Sequence, residues 1–402
     1  MDKIDKILDS YATNNLFKDK SIVQANYVPE AILHRAEQVE AIASILAPAL
    51  RGEKVSNLFL YGGTGSGKTL SVQHVGERLT EKMKQIGEDN LKFIYINCKL
   101  KKVADTEYRI IAQLIKSLKG NIPFTGLPLN AVYSKFMEMI DDKKQVIILV
   151  LDEIDQAVKK INDSFIYTLT RMNSELKNAQ ISLIGISNSL TFMENIDPRV
   201  KSSLGEEELL FPHYNALQLQ DILRQRAENA FKEGVLDEGV IAKCAAYAAR
   251  GYGDARRALD LLRVAGELAE REGAKKIELK HIDTANQKIE KDKMLDVIEG
   301  QSIQFQQVLY AIMNLEKKGR GSIFTGDVYN AYQEICNKTK NEILTQRRVG
   351  DIIAEFDMLG VINARVISKG RQGRTREIKL NLNSEIKEKA KEILEKALDL
   401  RV

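Results

Sequence analysis

Eight consecutive residues, Gly62-Gly63-Thr64-Gly65-Ser66-Gly67-Lys68-Thr69, have the types and spacing needed to hold a polyphosphate. They fit the pattern G-x-x-x-x-G-K-[ST]. The glycines let the backbone curl round an anion without Cβ clashes, so that successive amide N–H groups point inward. Lys68 can then reach the terminal phosphates of a nucleoside triphosphate, and the Thr69 hydroxyl can ligate Mg2+. The bland alternative is a glycine-rich turn that happens to carry Lys-Thr, but the flanks argue against it. Asn57-Leu58-Phe59-Leu60-Tyr61 reads as a buried parallel strand, and Leu70, Val72, Val75, Leu79 and Met83 recur with helical spacing. Strand, loop and helix in that order bring a helix N-terminus, with its partial positive charge, to the anion.

Acidic and polar groups complete a hydrolytic set. The apolar run 146–151 ends in Asp152-Glu153-Ile154-Asp155. This predicts a central strand beside the phosphate loop, with Asp152 holding Mg2+ directly or through water and Glu153 polarising the attacking water as general base. A solvated acidic turn is the plainer reading. Asn188, at the end of Ile184-Gly185-Ile186-Ser187-Asn188, could orient that water, touch the γ-phosphate, or simply cap a helix or turn. Gly253-Asp254-Ala255-Arg256-Arg257-Ala258-Leu259 opens a helix with Asp254 as N-cap. Two arginines in a first turn oppose the helix dipole, and an anion held there would reverse the sign. Arg256 therefore reads as a phosphate contact made across a domain boundary; pairing with Asp254, or solvation, is the alternative.

A second kind of chemistry lies near the C-terminus. Three helical patterns (303–317, 325–337, 345–358) precede two β runs (361–367, 376–382) around Ser368-Lys369-Gly370-Arg371-Gln372-Gly373-Arg374-Thr375. That order is a winged helix. The third helix starts near Thr345-Gln346-Arg347-Arg348. Gln346 and Arg347 or Arg348 could reach base edges, and Thr345 could cap the helix or bind phosphate. Arg365, Lys369, Arg371, Arg374, Arg376 and Lys379 face only Glu377 in opposition. Such a single-sign cluster costs self-repulsion unless a polyanion relieves it; otherwise it is a solvated hairpin tip. Lys99-Leu100-Lys101-Lys102 is a weaker basic patch, more simply a solvated face.

These residues must be positioned by several domains. A chain of 402 residues exceeds one ordinary core. Apolar content of 44% with 29% charge is globular, and no run is long enough to span a membrane. Cys98, Cys244 and Cys336 lie far apart, which argues against zinc or a disulfide framework and for a reducing interior. Net charge of +4 neither requires nor excludes nucleic acid, so the distribution of charge decides. Residues 1–30 read as a short helix and an extended arm, and 30–50 as a helix strained by Pro48. Strands at 57–61, 93–97, 146–151, 181–186 and 209–212 alternate with helices at 106–118 and 131–140, which predicts a parallel α/β core. Residues 215–291 read as helix after helix. The expected domains are 1–212 (nucleotide-binding core), 213–296 (all-α lid) and 297–402 (winged helix).

Taken together, these motifs resemble the AAA+ ATPases, and more closely the archaeal replication initiators related to the eukaryotic origin recognition complex and its Cdc partner. Tyr27-Val28-Pro29 with His34-Arg35-Ala36-Glu37-Gln38 resembles that family's adenine-side segment, departing from it at Ala36. Residues 62–69, 151–153, 187–188 and 253–259 resemble its two Walker motifs and two sensors. The likeness implies that Val28, Pro29 and Arg35 line an adenine pocket, that Gly63 to Leu70 bind phosphate, and that Tyr214 and Arg226 border the nucleotide. It places Arg199 where a neighbouring subunit would receive an arginine finger, although the sequence itself shows only an arginine after a proline. It puts an insertion that can touch DNA near Lys99 to Lys102. It implies a cytoplasmic, nucleoid-associated initiator that binds double-stranded origin DNA, recruits or loads the replicative helicase, and uses slow ATP hydrolysis as a switch, with initiator paralogues as further partners. A branch-migration motor and an ATP-controlled transcription regulator are the competing readings.

Overall fold

A computed structural model describes residues 15–24, 27–99, 105–123, 126–317, 319, 322–368 and 374–400. Of the short helix and arm expected over 1–30, residues 1–14 and 25–26 lie outside them. The chain divides into two compact units, Met1–Asp283 and Thr284–Val402.

The first unit is built on five parallel strands: β1 (Leu58–Gly62), β2 (Leu91–Asn97), β3 (Gln145–Asp152), β4 (Ala179–Ser187) and β5 (Glu207–Phe211). Their order is β2-β3-β4-β1-β5. Alternate residues of β3 serve opposite cores, which is why its sequence is continuously apolar. Ile147, Leu149 and Leu151 join Phe59, Ile110 and Phe136 on one face. Val146, Ile148 and Val150 join Ile42, Val72 and Leu79 on the other. The second face is covered by α1 (Ala36–Leu46) and α2 (Lys68–Ile86), the first by α3 (Glu107–Ser117) and α4 (Leu129–Ile140).

One expectation is corrected here. The strand beside β1 is β4, paired from Leu58↔Ile184 to Tyr61↔Ser187, and not β3. Both β3 and β4 are buried on two faces, so their runs look alike in sequence and pattern alone does not order them. The helix expected over 30–50 is shorter, because a tight turn over Ala47–Arg51 begins where Pro48 offers no N–H to continue α1. Three short helices were not foreseen: α5 (Ile154–Ile161), α6 (Ser164–Arg171) and α7 (Pro198–Leu204). Two turns give too little periodicity to separate a helix from a loop.

The lid follows as α8 (Ala216–Ala230), α9 (Val240–Arg250), α10 (Ala255–Arg271) and α11 (Leu279–Glu299), with the division between units falling inside α11. The arm at 15–24 is strapped to the lid. Lys232 N donates to Leu16 O at 3.0 Å, Leu16 N donates to the buried Glu270 at 2.8 Å, and the rings of Phe17 and Phe231 lie 4.5 Å apart.

The second unit packs α12 (Ile303–Lys317), α13 (Thr325–Thr339), α14 (Gln346–Met358) and α15 (Ser384–Ala397) around Tyr332 and Phe356, against a small antiparallel sheet. That sheet joins β6 (Ile323–Phe324), β7 (Ile362–Ser368) and β8 (Arg374–Leu380) in the order β6-β8-β7. The two-residue β6 is too short for sequence pattern to reveal. Among the described residues no helix is long and apolar enough to cross a membrane.

Candidate functional site

A cleft of about 490 Å3 opens between the sheet and the lid of the first unit. Its floor is the glycine loop and the start of α2. Gly65 has φ +69°, and a Cβ there would lie 1.8 Å from the Asp254 carboxylate. Gly67, at φ +96°, would bring a Cβ to 2.9 Å from the Tyr214 hydroxyl. Both positions need glycine for backbone conformation and for close approach. Gly65 to Leu70 line the cleft; Gly63 and Thr64 do not.

Lys68 is buried, 4% exposed. Its Nζ donates to Gly62 O (2.8 Å), Gly63 O (2.9 Å) and Asn188 Oδ1 (3.0 Å). Desolvation pushes its pKa down to about 8; Asp152 opposes the shift and the like charge of Arg256 adds to it. Asp152 reaches the loop from β3 across the end of the intervening β4. Its Oδ2 accepts from Thr69 Oγ1 (2.8 Å) and from the Tyr95 hydroxyl (2.6 Å), and its Oδ1 from Glu153 N (2.9 Å). Glu153, immediately before α5, adopts a left-handed backbone, φ 53°. Its carboxylate lies 3.6 Å from the exposed ammonium of Lys99.

From the lid, Asp254 caps α10 by accepting from Arg256 N (2.9 Å) and Arg257 N (3.3 Å). The cap satisfies the backbone, and the Arg256 side chain joins the cleft wall with Lys68. Two cations thus face one cavity, an arrangement that an anion would relieve. The far end is apolar, lined by Val28, Pro29, Ile32, Ile222 and Leu259, with Tyr214 and Arg226 beside it. Arg226 is buried over the ring of Tyr27, at 4.4 Å, and burial lowers its pKa. Arg35 stands behind the cleft. Its Nε donates to Ser66 O at 2.8 Å while its guanidinium stacks 3.9 Å over Tyr214, so it braces the glycine loop. Arg199 is exposed outside the cleft on α7 and pairs with Asp197 at 2.9 Å.

The structure therefore brings together Val28, Pro29, residues 65–70, Asp152, Glu153, Asn188, Tyr214, Arg226 and Arg256. It does not bring Gly63, Thr64, Arg35 or Arg199 to the same cavity. Tyr95 and Asn97 were missed. Their signal was the polar alternation at the end of β2, where Tyr95 and Asn97 share one face while Ile94 and Ile96 take the other.

In the second unit, Thr345 caps α14, its Oγ1 accepting from Arg348 N at 3.3 Å. Gln346, Arg347 and Arg348 are exposed on the first turn, with Arg348 loosely paired to Asp351 at 4.0 Å. Arg376 is turned inward instead, its Nη1 donating to Gly350 O of α14. Lys369 and Arg371, like Lys101 and Lys102, lie outside the described residues. Arg374 opens β8.

Parallel sheet, glycine loop, helical lid and winged helix define an AAA+ ATPase of the Cdc6 type. Three family models match the chain: an AAA domain over residues 53–193, the Cdc6 AAA+ ATPase-type lid domain over 220–287, and the CDC6 C-terminal winged helix domain over 296–390. An ORC1-type DNA replication protein of Pyrococcus furiosus is 51% identical over 95% of this chain and 91% of its own length. ORC1-type DNA replication protein 1 of Methanosarcina mazei is 48% identical over 94% and 90%. The Aeropyrum pernix ORC1 protein, solved in complex with DNA, superposes with a TM-score of 0.84 at 43% identity, covering 95% of this chain and 97% of that one. The chain belongs to the archaeal ORC1-type (Cdc6) DNA replication initiators.

Proposed function

We propose that this initiator binds ATP in the cleft of its first unit and double-stranded origin DNA through its winged helix, and that nucleotide state governs recruitment or loading of the replicative helicase. The observation that carries the nucleotide half is the convergence of Lys68, Asp152, Asn188 and Arg256 on one cavity with an apolar far end. The phosphates lie against the glycine loop and Lys68, and the base against Val28, Pro29, Ile32 and Ile222.

Thr69 and Asp152 fit Mg2+. Their oxygens are 2.8 Å apart, and Mg2+ in such sites takes one or two protein oxygens plus substrate phosphates rather than an all-protein cage. When bound, the ion neutralises charge on the phosphates. Glu153 accepts a proton from the attacking water, Asn188 orients that water, and Lys68 and Arg256 balance the developing negative charge. Arg256 belongs to the lid, so loss of the γ-phosphate weakens the lid's hold on the core; that is the switch. Hydrolysis is slow and serves the switch rather than turnover.

The DNA half rests on the exposed first turn of α14 and the basic residues flanking the wing, together with the DNA-bound state of the Aeropyrum relative. The test is duplex binding by fluorescence anisotropy at physiological salt. Tighter binding to origin repeats than to random duplex is expected, and equal binding would overturn the proposed origin recognition.

A further inference from the structure

Asp152 receives three hydrogen bonds, and their sources differ. Glu153 N is the next peptide in the chain, and the Thr69 hydroxyl is itself a candidate ligand of the ion. The third donor, the Tyr95 hydroxyl at 2.6 Å, comes from the neighbouring strand and is committed to nothing else that a metal site requires. Strands β2 and β3 pair in register, with Tyr95 opposite Val150 and Asn97 opposite Asp152, which sets the Tyr95 ring beside the carboxylate. Asn97 lines the cleft beside Tyr95, and its Oδ1 accepts from Lys99 N at 3.0 Å. An aspartate's terminal torsion is broad when left unheld. The hydroxyl reaching in from β2 pins it at the oxygen that also faces Thr69.

We propose that Tyr95 is a positioning residue for Mg2+, holding Asp152 in the orientation that, with Thr69, receives the ion. The proposal rests on the reading of the cleft as an Mg-nucleotide site. Partners of this kind, one bond removed from a metal, typically change metal affinity 10- to 100-fold when removed. Tyr95→Phe keeps the ring and removes only the oxygen.

The test uses the full chain loaded with ADP and titrated with Mn2+, free Mn2+ being read by electron paramagnetic resonance. Tyr95→Phe is expected to weaken Mn2+ binding roughly tenfold. ADP affinity in EDTA is expected to stay at the wild-type value. In an Asp152→Ala background the same change is expected to add nothing, because the oxygen it acts through is gone. Unchanged Mn2+ affinity, an equal loss of ADP affinity in EDTA, or full additivity with Asp152→Ala would each overturn the role of Tyr95 alone. A wild-type protein that binds no Mn2+ alongside ADP would instead overturn the reading of the cleft, and this proposal with it.

Discussion

The cleft and the winged helix both gather cations, but they treat them in opposite ways. In the cleft and directly behind it, charge is buried and held: Lys68 has three close acceptors, Asp152 three donors, and Arg226 and, behind the cleft, Arg35 are stacked on tyrosines. On the winged helix, Arg347, Arg348 and Arg365 are exposed, and the ion pair of Arg348 is loose. Buried, preorganised charge suits a ligand whose atoms must be fixed within fractions of an ångström. Exposed charge on long side chains suits a polyanion bound largely by counterion release, where position matters less than sign and number. The same residue types thus serve two functions, separated by burial.

Breaking this contrast on the cleft side should have the largest effect. Glu153→Gln is expected to lower ATP turnover by roughly 100- to 10,000-fold, as removal of a general base does, while nucleotide affinity measured by calorimetry persists. On the wing, Arg371→Ala with Arg374→Ala is expected to reduce the slope of log affinity against log salt by roughly 0.9 for each DNA phosphate that the variant no longer neutralises. An unchanged slope would remove the wing from the interface. Arg376→Ala sharpens the comparison, because its bond to Gly350 predicts lowered stability of the second unit with little change in that slope.

A smaller effect is expected from pH. The Lys68 pKa, about 8, is depressed from an ordinary value of 10.5. Between those values the folded free protein has shed a proton that the unfolded chain retains, so this group's contribution to stability rises with pH across the window. Polyphosphate binding has the opposite sign, since it requires the ammonium. ATP affinity should therefore fall as pH rises past about 8, by at most about tenfold per pH unit. In Lys68→Arg, whose side chain stays charged, the fall should vanish even if absolute affinity changes.

Much of the cleft was legible in the sequence, because its parts are local. The octet 62–69, the acidic end of β3 and the Arg256 turn each stand out by residue type within a few positions, whereas Asn188 reads equally as a cap or turn. Tyr95 was silent because a tyrosine in a strand ordinarily packs; its role appears only when β2 is set beside β3. Arg35 was legible as important but not in what it touches, since Ser66 O and Tyr214 reach it through tertiary folding. Arg376 looked like one more wing cation until its partner on α14 was seen. The order of β3 and β4 was hidden because two strands buried on both faces carry the same pattern.

The central claim, that a nucleotide held by the first unit and DNA held by the second use separate residues, is tested most directly by Lys68→Ala. ATP and duplex affinity should be measured on one preparation. Removing a buried charged donor is expected to weaken ATP binding by at least roughly tenfold, leaving origin-duplex affinity within about twofold of wild type. Equal falls in both affinities, in a protein that still melts as wild type does, would contradict it.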